Sequence, residues 1–140
     1  MKTLSIGEVS RRTAVKVPTI RFYEERGLLP TPVRTEGNRR TYGDADVNRL
    51  KFVRHARELG FEVDDIRALL DLASHPEQPC AQADAIARRH LADIDDRLAR
   101  LNGLRKEVQA MLDQCSGGPV RQCRIIEVLA DHGECLHDKH

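Results

Sequence analysis

The 140-residue chain has no Trp, only three Phe and two Tyr, so its core must be assembled from Leu, Ile, Val and Ala. It also lacks any apolar run of the roughly 20 residues needed to span a bilayer. The start, Met1-Lys2-Thr3-Leu4-Ser5, passes directly into polar sequence without the apolar block of a signal peptide. We therefore expect a cytoplasmic protein with no membrane partner, in a compartment that keeps thiols reduced. Neither sign of charge dominates: 23 Lys and Arg face 22 Asp and Glu. Overall charge thus says nothing for or against nucleic acid, although the first half carries a slight positive excess. Missing too are a Gly-rich phosphate loop, a nucleophile elbow and paired carboxylates, which argues against an enzyme. Four cysteines (Cys80, Cys115, Cys123 and Cys135) are present, but no two stand in the close C-x-x-C spacing typical of structural zinc.

What is present reads mainly as helix. Ser5 followed three residues later by Glu8 forms a capping-box pattern, with Ile6 and Val9 on an apolar face. After the connector Ala14–Val17, Pro18 suits the first turn of a second helix, which Gly27 terminates. Two short helices around a tight turn make a helix-turn-helix candidate, although the turn has no glycine. Two prolines and Gly37-Asn38 then mark a small hairpin, with strands at Val33–Arg34 and at 40–42. Asp44 is expected to cap a helix ending at Gly60, with Val47, Leu50, Val53 and Phe52 inward. A further helix is expected over 63–73 with Ile66, Leu69, Leu70 and Leu72 inward, ended by His75-Pro76.

From Ala81 to Asp113 nothing interrupts a helix. Ala87, Leu91, Ile94, Leu98, Leu101, Val108 and Leu112 recur in steps of three and four, with Arg105 at one seam position. At 1.5 Å per residue this helix runs about 50 Å, and no second long helix exists to cover its stripe. A second copy of the chain is the simplest cover, giving a homodimer. The helix also separates the thiols. Cys80 precedes it and Cys115 follows it, too far apart within one chain for a bridge or shared ligand. If two copies pair antiparallel, Cys80 of one subunit approaches Cys115 and Cys123 of the other. Two or three thiolates suit soft or borderline metals rather than magnesium or calcium. Oxidation of the two thiols in "CSGGPVRQC" and a cytoplasmic metal buffer are the competing readings.

The order of elements, together with "IRFYEERGLL", "RTEGNRRTY" and "LGFEVDDIRALL", resembles the MerR family of bacterial transcription regulators along essentially the whole chain. Where the family carries an aromatic in the wing, this chain has Arg39. The set Cys80, Cys115 and Cys123 resembles the branch that responds to cadmium and lead. The resemblance implies a mainly α architecture. A winged helix-turn-helix DNA-binding domain would occupy 1–75, and an antiparallel coiled-coil dimerisation helix 80–114. A cysteine metal-binding loop, short helix and tail would fill 115–140.

Implied DNA contacts are Thr19, Arg21 and Tyr23 on the recognition helix, and Arg34, Arg39, Arg40 and Tyr42 on the wing. Arg54 and Arg57 would contact backbone beyond it. Phe22 is expected in the core. Implied effectors are Cd(II) or Pb(II), with Zn(II) or Hg(II) as alternatives, at a cross-subunit Cys80, Cys115 and Cys123 site. His90, His137 and His140 form a possible secondary set, beside His132 and Cys135 in the tail. The implied partners are double-stranded promoter DNA bearing a dyad operator and RNA polymerase. The implied outcome is activation of metal-resistance or efflux genes by DNA distortion.

Overall fold

The computed structural model describes residues 3–115 and 117–131. The chain divides into two compact units, 1–86 and 87–140.

In the first unit, α1 (Ile6–Thr13) starts where Ser5 Oγ accepts the Glu8 N–H at 3.2 Å. It stops at Ala14, which adopts the left-handed region at φ 58° where a glycine would ordinarily stand. Hydroxyls hold this turn. Thr13 Oγ1 donates to the Val9 carbonyl at 2.8 Å and accepts from the Val15 N–H at 3.3 Å. Ser10 Oγ donates to the Val15 carbonyl at 2.6 Å. Helix α2 (Val17–Glu25) begins one residue earlier than its proline implies, so Pro18 takes the second position, where its missing N–H is equally harmless. Its end is a Schellman motif. Leu28 N–H reaches the Tyr23 carbonyl at 2.9 Å, Gly27 N–H reaches the Glu24 carbonyl at 3.2 Å, and Gly27 sits at φ 77°.

The wing is a two-stranded antiparallel ribbon, β1 (Val33–Arg34) and β2 (Arg40–Thr41), in register Val33 with Thr41 and Arg34 with Arg40. Its tip closes through Asn38 N–H to the Thr35 carbonyl at 2.8 Å, and Asn38 carries the positive φ, 62°. Tyr42 leaves the ribbon to pair with Leu4, each donating its N–H to the other's carbonyl. The chain start is thereby tied to the wing base.

Helix α3 (Asp44–Glu58) is capped by Gly43 rather than Asp44. The carboxylate that matters is Asp46, whose Oδ2 accepts the Gly43 N–H at 2.9 Å. Helix α3 ends in the same Schellman geometry at Gly60, φ 87°, with Phe61 N–H on the Ala56 carbonyl at 3.1 Å. Helix α4 (Val63–Ala73) follows. The core gathers Leu4, Val9, Ile20, Leu28, Leu50, Val53 and Ile66, all essentially inaccessible, with Val47 and Leu70 beside them. Leu69 and Leu72 are half-buried, and Phe52 is exposed.

Helix α5 (Ala81–Asp113) is one uninterrupted helix of 33 residues. Ile86 near its start is buried and belongs with the first unit. In the second unit the seam lies open: Leu91, Leu98, Leu101, Val108 and Leu112 are each more than half exposed. A 3₁₀ turn (Val120–Gln122) and helix α6 (Arg124–Ala130) complete the described chain. Among the described residues no helix is long and apolar enough to cross a membrane.

Candidate nucleic-acid interface and metal centre

Helix α2 buries Ile20 and Tyr23 and leaves Pro18, Arg21, Phe22, Glu25 and Arg26 outward. The assignment of the two aromatics is therefore reversed from the sequence expectation. Phe22 is 45% exposed, whereas Tyr23 is only 8% exposed. The periodicity contains the signal: at 100° per residue Phe22 stands about 200° round the helix from Ile20, on its far side. The Arg26 guanidinium lies over the Phe22 ring at 5.7 Å from its centroid, so an aromatic and a cation share the outward face. Thr19 is half-buried beside the exposed Arg21.

The wing residues divide into outward and inward groups. Arg34 and Arg39 are exposed, and Arg34 Nη1 donates to the Asn38 carbonyl at 3.1 Å. Arg40 and Tyr42 converge instead on Glu24 of α2. Arg40 Nε lies 3.3 Å from Glu24 Oε2, and the Tyr42 hydroxyl donates to Glu24 Oε1. Tyr42 is 3% exposed, and its phenol is pushed above its ordinary ionisation range, first by burial and then by the Glu24 carboxylate. The triad locks the wing base to the second helix. Sequence reading missed Glu24, because no local pattern joins residues 18 positions apart. Arg54 and Arg57 are exposed, yet each also braces backbone. Arg54 Nη1 donates to the Thr13 carbonyl at 3.1 Å, and Arg57 Nη1 to the Phe61 carbonyl at 2.8 Å.

Of the cysteines, Cys80 is exposed just before α5. Cys115 and Cys123 are half-buried, and all three are free thiols. Gly117, at φ 76°, and Pro119 turn the chain between the loop pair. Cys123 caps α6, where the Ile126 N–H is the largest influence lowering its thiol below the usual range. Partial burial opposes that shift, while the Ile125 N–H and a hydrogen bond with the Cys115 thiol add to it. This donor set favours the thiolate, the form that ligates soft metals, so the residues present fit such an ion. Among the described residues, one chain gathers no group of three or more His, Cys, Asp or Glu side chains. His90 is half-buried on α5; His132, Cys135, His137 and His140 lie outside the described residues.

Two short helices with a polar outward face, an arginine-bearing wing and a following helix pair define a winged helix-turn-helix protein. Its second unit adds a long helix and a loop with two thiols. The chain matches the family model described as "MerR HTH family regulatory protein" over residues 4–73 and the one described as "MerR, DNA binding" over 47–111. It belongs to the MerR family. It is similar to "Heavy metal-dependent transcription regulator 2" of Rhizobium meliloti (strain 1021), with 37% identity over 91% of this chain and 87% of that one. With the HTH-type transcriptional regulator ZntR of Escherichia coli (strain K12) it shares 38% identity over 89% and 90% of the respective chains. Among solved structures it resembles the regulator PbrR691 from Ralstonia metallidurans CH34 in complex with lead(II). The TM-score is 0.79 and the identity 36%, covering 90% of this chain and 98% of that one. The protein is a transcription regulator, not an enzyme.

Proposed function

We propose that this MerR-family regulator is metal-responsive and works as an antiparallel homodimer on a dyad operator within a promoter. It activates metal-resistance or efflux genes when Cd(II) or Pb(II) occupies a site built from Cys115 and Cys123 of one subunit and Cys80 of its partner. The observation that carries this reading is the exposed α5 seam, with a free thiol just before the helix and two after it. Pairing two copies head to tail covers the seam and brings the thiols at opposite ends together. A bound soft cation supplies a cross-link between thiolates of the two chains. The short α6 and its Cys123 cap hold one end of that link; the polypeptide just before α5, next to the DNA-binding unit, holds the other.

The two DNA-binding units insert the α2 faces into successive major grooves, with Thr19, Arg21 and Phe22 nearest the bases. Tyr23 supports that face from beneath. Arg34 and Arg39 grip flanking phosphates, Arg40 and Tyr42 set the wing through Glu24, and Arg54 and Arg57 extend the backbone contacts. Loading shifts the dimer between two conformations by differential affinity. The favoured conformation bends and undertwists the duplex so that RNA polymerase engages both promoter elements. Zn(II) and Hg(II) also suit three thiolates, and the imidazoles of His90, His137 and His140 offer a secondary set of metal ligands.

A second reading rests on the Cys115 hydrogen bond to Cys123: an oxidant joins these two thiols, and the disulfide, rather than an ion, shifts the dimer. In vitro transcription from the cognate promoter separates the two. With excess reductant, titrated Cd(II) or Pb(II) raises transcript; activation by oxidant alone, with metal inert, contradicts the metal reading.

A further inference from the structure

A cleft of about 220 Å³ opens between α1 and α3, lined by Arg12, Thr13, Lys51, Arg54, His55 and Glu58. Three permanent cations face one carboxylate there. One of the cations is already oriented. Arg54 is held by the Thr13 carbonyl at 3.1 Å and by Glu58 at 3.2 Å. Arg12 reaches Asp44 only at 3.9 Å, and that carboxylate is 86% exposed, so little binds Arg12 there. Lys51 makes no ion pair among the described residues and stands exposed at the rim. The cleft thus holds an uncompensated positive charge around a pocket with room for a small oxyanion.

Its position gives the oxyanion a source. Arg12 and Thr13 end α1, and the next three residues form the turn into the amino end of α2. When a helix-turn-helix docks, the amino end of the second helix reaches the bases while the first helix crosses the backbone. A cleft at the carboxyl end of the first helix then borders the strand flanking the groove. We propose that Arg12 and Lys51, with Arg54 between them, clamp one phosphodiester of the DNA backbone in this cleft. Neither Arg12 nor Lys51 belongs to the contacts assigned above. The inference rests on the DNA-binding reading of α2.

Operator binding across a salt series is the test, using full-length parent, Lys51→Ala, Arg12→Ala, Lys51→Arg and, as a separate control, Arg21→Ala. One phosphate contact contributes about 0.9 to the slope of log K against log salt. Because a dimer carries two such clefts, Lys51→Ala and Arg12→Ala are each expected to lower that slope by about two and to weaken operator and unrelated duplex by the same factor. Lys51→Arg keeps both at the parent's values. Thermal melts are expected to match the parent's, since both side chains lie on the surface. A parent that binds the operator while Lys51→Ala and Arg12→Ala keep its slope overturns the clamp alone. Unchanged slope with reduced promoter transcription assigns the cleft to an acidic protein surface instead, which also overturns it. Failure of the parent to bind, with Arg21→Ala indistinguishable from it, is failure of the DNA-binding reading.

Discussion

Glu24 sits at the meeting point of α2 and the wing, accepting from Tyr42 and pairing with Arg40 while its side chain is only 10% exposed. A hydrogen bond to a charged acceptor contributes about 1.5–3 kcal/mol. Tyr42→Phe is therefore expected to lower unfolding stability by about 2 kcal/mol, read as a shifted denaturant midpoint at constant slope. The phenol adds a pH signature. Because its folded ionisation lies above its unfolded one, the stabilisation is complete below pH 10.0, the ordinary phenol value, and is lost as pH rises further. Tyr42→Phe removes that alkaline decline. At this scale the sequence was legible for residue type but not for direction. Arg21 is outward as its motif position implies, whereas Arg40 and Tyr42 turn toward Glu24, and Phe22 and Tyr23 exchange places. Adjacent aromatics look equivalent in composition, and only the phase set by Ile20 separates them.

Among the elements, the α1–α2 turn carries a visible strain. Ala14 at φ 58° costs about 1–2 kcal/mol relative to a right-handed conformation, offset by the Thr13 and Ser10 hydroxyl bonds. Ala14→Gly removes the strain but enlarges the unfolded ensemble by about 0.4–1 kcal/mol. The expected net gain is about 0.5–1 kcal/mol, seen as a rise of several degrees in melting temperature. Helix α5 makes a larger claim. Burying a leucine side chain contributes about 1.5–3 kcal/mol, and Leu101, 61% exposed in one chain, occurs twice in a symmetric dimer. Leu101→Glu should weaken self-association by about 4 kcal/mol, roughly a thousandfold in Kd, measured by sedimentation equilibrium. Helix positions were largely legible, because apolar spacing and terminal glycines mark them: α4 and α5 fall where the pattern places them. Caps were less so. Asp44 and Asp46 are both plausible cap formers, and only the backbone path at Gly43 selects Asp46.

For the whole molecule, the proposed relation is between chains. It is motivated by a single 33-residue helix bearing a stripe that the described residues leave open, with Cys80 before it and Cys115 and Cys123 after it. The phase of the stripe and the helix length were legible; the neighbours of each thiol were not, since Cys123 draws its character from the Ile126 and Ile125 N–H groups of α6. Mixed dimers test the cross-subunit site most directly. One subunit carries Cys80→Ala and the other carries Cys115→Ala with Cys123→Ala; each homodimer and the purified mixed dimer are titrated with Cd(II) while thiolate charge-transfer absorption is followed. Neither homodimer is expected to form a three-thiolate site, whereas the mixed dimer regains one, half the number in the unsubstituted dimer. A mixed dimer that gains no three-thiolate site over the two variant homodimers would contradict the cross-subunit arrangement.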